Sequence, residues 1–590
     1  MNVWWRELRY ATRGLAKRPG FALACVLTLA LAIGANTAIF SVVNAVLLRP
    51  LPFKDPEGLV MLWQANSKQG VDHFAISIPY FGGWREQNRV FQQMSALAGQ
   101  NFDLTGDPGP ERISGKLVSA NFFSLLGVQP AMGRIFLPEE DQPDHLKVAV
   151  VSYDLWKRRF GGVKFSNQVV TTNMGAYTVV GVMPADFQLL GPADIWVPLG
   201  ERAESLHLPS NLPAQILASV TPLNVIARLK PGIALQEAQS NIDTVTQGLA
   251  KALASPWQAR IVDLRTELIG NKTRRILLAL LAAVGLVLLI ACANVANLQL
   301  ARLAGRHQEI ATRIALGATR RRLAHQLLAE SGTIAIAGAI VGLLVAFLAM
   351  RAFVASFLFG IPGMKTVSID GHVLLFTLGI SMLSVLLFGA IPGLRVSRTK
   401  LGGLSREGFS QMSQSVQMRR TQGIFVIAQV AFASVLLIGS MLTTKSLYRL
   451  SNIDLGFDPR NVLTFNVSLP QARYPNSQKQ YAFFEEASKQ FRTLPGVQQV
   501  GLVNFLPLTG MTWNWSISVE GRDVALNKTY PANYRVIDGD YFSAMQVPLL
   551  KGRFPVITNT NYAPNEVVIN QAMAKQFWPN QDPIGQRIKM

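Results

Sequence analysis

Cysteine, histidine and charged residues are scarce in this 590-residue sequence, and each scarcity excludes a class of protein. The two cysteines, Cys25 and Cys292, both lie in apolar runs, so no disulfide framework is predicted. The six histidines show no metal-ligand spacing and no His-Glu-x-x-His motif occurs, so no zinc site is predicted. Charged residues make up 15%, against about a quarter in soluble proteins, which excludes an ordinary soluble protein.

The sequence signals of nucleotide and hydrolytic chemistry are also missing. A phosphate-binding loop ends in Gly-Lys-Ser or Gly-Lys-Thr. The nearest stretch, Gly109 to Leu117, contains Gly115-Lys116 but has the wrong spacing and no hydroxyl after the lysine. Nothing in the sequence nominates a nucleophile with an adjacent base. We therefore expect no enzyme activity, no cofactor, and no catalytic or metal-binding residue in this protein.

Long apolar runs are what the sequence has instead. Each is long enough to cross a bilayer at about 1.5 Å per residue, and the five cover residues 21–48, 276–300, 331–350, 372–394 and 423–442. The first run is too long for a cleaved signal peptide and ends in Arg49-Pro50, so it is predicted to remain as a spanning helix. The predicted fold class is a membrane protein with an α-helical transmembrane bundle of about five helices.

Basic residues are distributed unevenly among the segments that flank these runs. Residues 1–20 hold five Lys or Arg, residues 302–322 hold six and residues 395–420 hold six, whereas residues 352–371 hold one. Basic flanks stay in the cytoplasm, so the N-terminus, 302–322 and the linker 395–420 are predicted to be cytoplasmic. This topology accounts for the net charge of +21. A nucleic-acid surface would interleave basic residues with aromatics on a soluble face, and no such pattern occurs.

The two long segments, residues 49–270 and 449–590, are predicted to lie on the opposite side as α+β domains. In the first, short β-branched or apolar runs predict strands and periodic apolar residues predict helices. The predicted strands are 59–65, 148–151, 175–182 and 223–229, and the predicted helices are 80–94, 154–160 and 233–253. The last helix is expected to pack on the sheet through Leu235, Ala238, Ile242, Val245 and Leu249.

Polar and small residues inside the apolar runs indicate where helices touch. Asn36, Phe40 or Ser41, and Asn44 recur at helical spacing in the first run, and the polar groups among them are expected to face other helices. Gly338-x-x-x-Gly342 in the third run allows a neighbouring helix to approach closely. Glu330, at the start of that helix, has two interpretations: a proton carrier, or a carboxylate that complements the helix N-terminus.

Part of the outer region occurs twice. At a shift of 419 residues, Phe123, Ser124, Val128, Gly133 and Arg134 match Phe542, Ser543, Val547, Gly552 and Arg553. Residues 149–153 also resemble 567–571, and Phe53 to Pro56 resemble Phe457 to Pro459. The fifth helix is thus predicted to repeat the first, in a tandem internal duplication. Because the first copy continues into three more helices and the second stops at Met590, the domain at 449–590 is predicted to be incomplete, the protein being truncated at its C-terminal end.

The segment after the second helix carries the most specific motif. Arg306-x-x-Glu309-Ile310 followed by Arg313-x-Ala315-Leu316-Gly317-Ala318 resembles the cytoplasmic coupling segment of MacB/FtsX-type permeases of ATP-binding-cassette (ABC) systems. The helix exit from Ala291 to Asn297 resembles the same family, and the stretch from Gly34 to Pro52 is similar to the first membrane helix of its duplicated subgroup. At Ala311-Thr312 the sequence departs from the usual family motif, in which Gly-Ile-like residues are frequent.

This resemblance implies a permease subunit whose ATPase is a separate polypeptide. The segment would dock on that ATPase as a short helix, through Arg306, Glu309, Ile310, Arg313, Leu316, Gly317 and Ala318. Nucleotide-driven closure would then move MacB-like periplasmic domains, for export or for envelope processes. The resemblance also implies a multi-pass protein of the bacterial inner membrane, whose partners are the ATPase, the lipid bilayer, and a second permease copy or a periplasmic protein.

One alternative from another class stays open: an envelope scaffold or signalling protein that has no ATPase partner. A secondary transporter is a third hypothesis. It would need discontinuous helices and charges at the membrane midplane, and the five runs show neither clearly.

Overall fold

The computed structural model describes residues 13, 16–66, 71–106, 109–142, 147–162, 168–200, 223–253, 257–304, 320–356, 369–387, 409–467, 469, 473–474, 476–509, 513–520, 530–555 and 566–589. The first helix, α1, spans Pro19–Val43 and continues as a π-helical turn, Asn44–Leu48. Pro19 stands at its first helical position, where the missing amide proton costs no hydrogen bond. A 3-10 turn at Pro56–Gly58 then leads into the outer domain.

The outer domain alternates short strands and helices. Its elements in sequence order are β1 Leu59–Asn66, β2 Val71–Phe74, α2 Ile78–Gln87, β3 Phe91–Leu104, β4 Glu111–Val118, α3 Phe122–Leu126, β5 Met132–Gly133, β6 Val148–Val151, α4 Tyr153–Phe160, β7 Val169–Thr172, β8 Gly175–Val182, β9 Ile195–Pro198, β10 Asn224–Leu229, α5 Leu235–Ala252, β11 Gln258–Asp263 and α6 Leu264–Ile269. They form one sheet of 11 strands, in which the order β11-β1-β10-β3-β4-β9-β6-β8-β5 is joined by β2 at β1 and by β7 at β3 and β8.

Helices cover both faces of this sheet, which gives the domain two hydrophobic layers. On one face α2, α4 and α5 bury residues that include Trp84, Leu155 and Ile242. On the other face α3 and α6 pack around Phe123 and Leu264. The indole nitrogen of Trp84 donates to the Thr246 hydroxyl at 2.9 Å, which fastens α2 to α5. The fold is α+β, with mostly antiparallel pairs and two parallel ones.

Two sequence predictions for this domain need correction. The helix predicted at 80–94 ends at Gln87, because Asn88 is extended and its Oδ1 accepts the amide of Phe91 at 3.0 Å, which starts β3. The stripe on α5 holds Ala238 and Ile242 in the core as predicted. Leu235, however, is 37% exposed, because it is the first residue of the helix and lies beyond the sheet.

Four further apolar helices follow the outer domain: α7 Asn271–Ala304, α8 Arg320–Ser356, α9 Gly371–Val385 and α10 Phe409–Ser451. Among the described residues, four helical stretches are long and apolar enough to cross a membrane: Pro19–Leu48, Asn271–Arg302, Leu328–Ala352 and Gln422–Ser451. The fourth predicted run, 372–394, corresponds to α9, which is shorter, and residues 388–394 lie outside the described residues. The described part is therefore a membrane protein with a folded α+β domain between its first two long apolar helices.

Glycines bring α1 and α8 close together. A Cβ atom added at Gly338 would lie 2.9 Å from the Leu29 Cβ, and one added at Gly34 would lie 2.8 Å from the Gly342 carbonyl oxygen. The predicted Gly338-x-x-x-Gly342 pair therefore packs against α1, where Gly34 is its counterpart. Leu29, Ile33 and Ile334 fill the core beside the crossing. Because lipid offers no hydrophobic drive between helices, such backbone approach is a main source of their association.

After α10 come α11 Ser477–Arg492, β12 Gly501–Val503, β13 Trp513–Val519, β14 Tyr530–Tyr534, β15 Ile537–Gly539, α12 Tyr541–Ala544, α13 Gln571–Phe577 and β16 Ile588–Lys589. The described strands form two small sheets, β12-β15 and β14-β13-β16. In the second sheet, Ile517 and Val519 of β13 form a buried cluster with Phe577 of α13.

Several local contacts recur between this region and the first outer domain. The Val128 amide donates to the Phe123 carbonyl at 3.0 Å, and the Val547 amide donates to the Phe542 carbonyl at 2.8 Å. The residue just before each of these amide donors has a positive φ, which is 70° at Gly127 and 50° at Gln546. Helix caps recur as well: Ser152 caps α4 through the Leu155 amide, and Asn570 caps α13 through the Met573 amide.

We predict that Gly342→Leu destabilises the helix bundle. A Cβ at this position would lie 3.0 Å from the Ala30 carbonyl oxygen and 3.1 Å from the Gly34 nitrogen, so α1 and α8 must separate. Overpacking of this kind costs about 1–3 kcal/mol. The measurement is the apparent midpoint of thermal unfolding in detergent. Gly332→Leu in the same helix is the control, since no atom lies within 4 Å of its Cβ position. Equal midpoints for the two variants would contradict the close crossing.

Candidate functional site

The predicted coupling residues, Arg306, Glu309, Ile310, Arg313, Leu316, Gly317 and Ala318, lie outside the described residues, which stop at 304 and resume at 320. The structure does describe the two helices that hold this segment. α7 leads into it and α8 leads out of it, so the facing ends of these helices form its base.

Four polar residues join α7 to α8 at this base, and we call them the coupling stem: Gln299, Arg302, Glu330 and Ser331. The Gln299 side-chain amide and the Ser331 hydroxyl are hydrogen-bonded at 3.2–3.3 Å. Arg302 and Glu330 form an ion pair at 3.5 Å, with side chains only 11% and 8% exposed. Gln299 and Arg302 are three residues apart and therefore share one helix face. The stem holds the two helices in one register where the coupling segment begins and ends.

The same stem reaches the first helix. The Arg302 guanidinium carbon lies 4.9 Å from the centre of the Phe21 ring, near the start of α1. A cation over an aromatic face in a site sheltered from water is worth up to about 2 kcal/mol. Three helices thus meet at this end of the bundle. Because α8 begins at Arg320, Glu330 does not lie at the helix N-terminus, and the ion pair with Arg302 gives this carboxylate a structural role that neither sequence interpretation named.

The middle of the bundle is joined by polar residues of α1. The Asn36 side-chain amide donates to the Val284 carbonyl of α7 at 2.7 Å, and the Thr37 and Thr377 hydroxyls are hydrogen-bonded at 3.1 Å. Phe40 stacks on Phe376 of α9, with ring centres 3.8 Å apart and planes within 5°. These contacts agree with the prediction that the polar stripe of the first run faces other helices.

At the far end of the bundle three residues form what we call the outer clamp: Asn44, Arg49 and Asp370. Asp370 caps α9 by accepting the Val373 amide at 3.0 Å. Its other oxygen accepts the Asn44 amide at 2.9 Å and pairs with Arg49 at 3.3 Å. The Val373 amide, then the Asn44 amide and the Arg49 guanidinium, hold the pKa of Asp370 below its ordinary value, against the opposing effect of desolvation. The ionised carboxylate therefore ties α1 to α9.

Two arginines fasten the outer domain to the same end of α1. Arg265 of α6 donates to the main-chain carbonyl of Leu47, inside the π-helical turn. Arg228 of β10 donates to the carbonyls of Lys54 and Asp55, in the link between the π-helical turn and β1, and to the carbonyl of Leu125 in α3. A small apolar cluster of Val43, Val46 and Leu277, with Ile269 against it, packs α1 against the start of α7. A displacement of α1 or α7 therefore reaches the outer domain through direct contacts.

The sequence signals for these residues differ in strength. Asp370 precedes an apolar run and carries the N-cap signal of a helix, so sequence reasoning could have found its role at α9. Its bond to Asn44, 326 positions away, has no local signal. The coupling stem and the two outer-domain arginines were also missed, because each acts through partners distant in the sequence or through main-chain carbonyls.

The former phosphate-loop candidate is part of the sheet. Gly115 and Lys116 lie in β4, paired with β3 and β9, and not in a loop that opens a helix. The Lys116 ammonium is buried and donates to the carbonyls of Leu189, Leu190 and Gly191. Burial lowers the pKa of Lys116 to about 8. Among the described residues, no group of three or more His, Cys, Asp or Glu side chains is placed to hold a metal ion.

The comparisons with known proteins agree with this arrangement. Residues 22–245 match the family described as MacB-like periplasmic core domain, and residues 281–401 match the FtsX-like permease C-terminal family. The chain is similar to the macrolide export ATP-binding/permease protein MacB of Bdellovibrio bacteriovorus, at 27% identity over 275 residues, 46% of this chain and 40% of that protein. The protein of the same name from Campylobacter jejuni is 24% identical over 241 residues, 40% of this chain and 36% of that protein.

Among solved structures, the chain is similar to the periplasmic region of MacB from Actinobacillus actinomycetemcomitans. The sequence identity is 12% and the TM-score is 0.29, and the match covers 39% of this chain and 94% of that one. The chain spans about two fifths or less of the length of the two curated relatives named above.

The fold and the site together define a membrane protein in which an α+β domain stands between the first two helices of a polar-tied bundle. Both family matches cover the corresponding parts, one the first helix with its outer domain and the other the helices that flank the coupling segment. The chain belongs to the MacB/FtsX-type family of ABC transporter permeases. Its outer domain is accordingly a periplasmic domain.

We predict that the Arg302–Glu330 pair stabilises the bundle chiefly by mutual compensation. Glu330→Met should leave a buried guanidinium uncompensated and lower stability by roughly 3 kcal/mol, since loss of one partner of a buried pair costs about 3–5 kcal/mol. The double variant Arg302→Met with Glu330→Met should recover most of that loss. The measurement is thermal unfolding in detergent for the three variants, Arg302→Met included. Additive losses in the double variant would show that the two side chains act independently.

Proposed function

We propose that this chain is the permease subunit of an ABC transporter, in which a separate ATPase binds residues 306–318 and moves the periplasmic domain. The observation that carries the proposal is the coupling stem, a buried polar tie at the base of that segment. ATP hydrolysis is assigned to a partner because the 590 residues contain no loop ending in Gly-Lys-Ser or Gly-Lys-Thr. The curated relatives bear names of export ATP-binding/permease proteins, which supports a link between permeases of this kind and ATP binding.

The proposed mechanism is mechanical. Closure of the ATPase displaces the coupling segment, and the Arg302–Glu330 pair makes α7 and α8 move together. Close packing at Gly34 and Gly342 passes that motion to α1. The Arg265 bond to Leu47 then carries it into the periplasmic domain. Each step relies on contacts that cannot slide freely, because buried polar groups in lipid must keep their partners.

The proposed location is the bacterial inner membrane, with the N-terminus and the coupling segment in the cytoplasm. The basic bias of residues 1–20, 302–322 and 395–420 supports this orientation. The long helices α7 and α8, of 34 and 37 residues, are consistent with it, since both extend beyond their apolar stretch into this basic segment.

A tandem duplication is part of the proposal, with α10 as the repeat of α1 and 449–590 as an incomplete second periplasmic domain. The recurring turns at Gly127 and Gln546 support it. So does the backbone path after each helix: the Lys54 amide donates to Leu126 at 3.0 Å, and the Asp458 amide donates to Met545 at 3.1 Å. In a duplicated protein, each copy of the domain would make this contact just after its own membrane helix, α1 in the first copy and α10 in the second.

A labelling experiment tests the orientation. We expect a membrane-impermeant maleimide added to spheroplasts to label Ser240→Cys, an exposed position on α5, and not Glu309→Cys. The native cysteines contribute little background because Cys25 and Cys292 are both buried. Permeabilisation should make Glu309→Cys reactive. Labelling of both positions from outside would place the segment and the domain on one side and rule out the mechanical link.

The coupling prediction concerns ATPase stimulation. Glu309→Lys reverses a charge in the proposed docking surface, and Gly317→Trp adds bulk there, so each should abolish stimulation of the co-purified cognate ATPase, a loss of tenfold or more. Glu407→Lys, a matched charge reversal in the linker 395–420, is the control and should leave stimulation intact. Thermal unfolding of each variant checks that the membrane part remains folded.

Two results would contradict the coupling role. Unchanged stimulation in both Glu309→Lys and Gly317→Trp would remove residues 306–318 from the ATPase interface. Consistent purification of the intact protein from its native membrane without any nucleotide-binding subunit would favour the scaffold or signalling alternative instead.

A further inference from the structure

A cavity of about 620 Å³ lies between α1 and α9, at the end of the bundle nearest the periplasmic domain. Its volume is in the range of pockets that hold small molecules, about 300–1,000 Å³. It is separate from the coupling stem, which occupies the other end of the helices. Neither the family matches nor the proposed transport mechanism gives this cavity a role.

The floor and walls of the cavity are apolar. The stacked rings of Phe40 and Phe376 close its inner side. Leu48 and Leu375 line it from the two helices, and they are 55% and 68% exposed. Side chains this exposed on apolar helices face the lipid, so the cavity opens toward the bilayer and can admit an acyl chain.

The rim of the cavity is polar and carries an arginine, an aspartate and a histidine. Arg49 is 41% exposed on its side chain, and its guanidinium pairs with Asp370 at 3.3 Å. His372 stands beside Asp370 as a further lining residue and supplies a ring N–H donor. One carboxylate thus faces an arginine and a histidine. Arginine is well matched to phosphate oxygens, which accept two parallel hydrogen bonds from its planar group.

The depth of the rim fits a lipid headgroup. Arg49 follows directly on the apolar run of α1, and Asp370 directly precedes the apolar helix α9. Both therefore stand where the helices leave the hydrocarbon layer, at the level of phosphate groups. An apolar floor below a rim with guanidinium and imidazole N–H donors at this level is complementary to an amphiphile with a phosphate in its head.

We propose that this cavity binds one anionic phospholipid of the outer leaflet, with its phosphate at Arg49 and His372 and an acyl chain against Leu375 and Phe376. The bound lipid would span α1 and α9 beside the outer clamp. This inference rests on the membrane placement of the helices and not on the partner ATPase, so it survives or fails independently of the coupling proposal.

Native mass spectrometry of the full-length protein in mild detergent tests the site. Phosphatidylglycerol and phosphatidylcholine with identical acyl chains are titrated separately, and one tightly retained phosphatidylglycerol per protein molecule is expected. The double variant Arg49→Gln with His372→Gln should weaken that binding roughly tenfold, because it removes the guanidinium and the ring N–H donor that face the phosphate. Leu375→Trp, which fills the apolar part and leaves the rim intact, should weaken both lipids.

Arg351→Gln is the matched control, because Arg351 lies over the Phe347 ring on α8 and does not line the cavity. It should leave phosphatidylglycerol binding unchanged. Inorganic phosphate serves as the soluble competitor and should not displace the lipid at millimolar concentration. Thermal unfolding without added lipid identifies any variant that has lost its fold. If the rim double variant has lost its fold, lipid binding by Leu375→Trp tests the site instead.

Three outcomes would overturn the assignment. Equal weakening in Arg351→Gln and in the rim double variant would mean general attraction of anionic lipid to the protein surface. Equal retention of phosphatidylcholine would remove the role of the rim charges. Full displacement by phosphate would make this an ion site with no lipid specificity.

Discussion

The absence of water in the hydrocarbon layer is the constraint on which this structure depends. Every polar group there must find a partner within the protein, because an unsatisfied one costs several kcal/mol. The bundle pairs several of its polar residues between helices: Asn36 with Val284, Thr37 with Thr377, and Arg302 with Glu330. Apolar packing alone would let these helices rotate or slide against lipid at little cost. The polar pairs fix one register, and a fixed register is what a mechanical link requires.

The first helix is the centre of this network. It contacts α8 through Gly34, α7 through Asn36 and α9 through Thr37, and these positions lie on successive faces of one helix. Its outer end is then held by Asp370 from the helix side and by Arg265 from the domain side. A helix tied to every neighbour and to the domain beyond it moves as a rigid element. Because the outer domain follows this helix directly in the sequence, the proposed movement of α1 is passed to that domain.

Sequence reasoning predicted the elements whose cause is local. Apolar runs give the helices, though α8 begins at Arg320 and not at 331, and α10 begins at Phe409 and not at 423, because helical hydrogen bonding continues through polar residues outside the bilayer. The small-residue pair at Gly338 was visible, but its partner Gly34 was not. Interhelical partners such as Arg302 and Glu330 could not be paired from sequence, since nothing local encodes which faces meet. The coupling residues 306–318 remain a prediction.

The proposed repeat of α1 in α10 has a structural limit. When Asp55-Pro56 and Asp458-Pro459 are aligned, Gly34 corresponds to Leu437 and Asn36 to Gly439. Leu437 cannot allow the backbone approach that Gly34 makes possible, and Gly439 has no side chain to bond a neighbouring carbonyl. Leu437 is 70% exposed among the described residues. In this alignment α10 has neither the small residue nor the amide side chain through which α1 contacts α8 and α7, so the proposed repeat extends to the turns of the outer domain and not to these contacts.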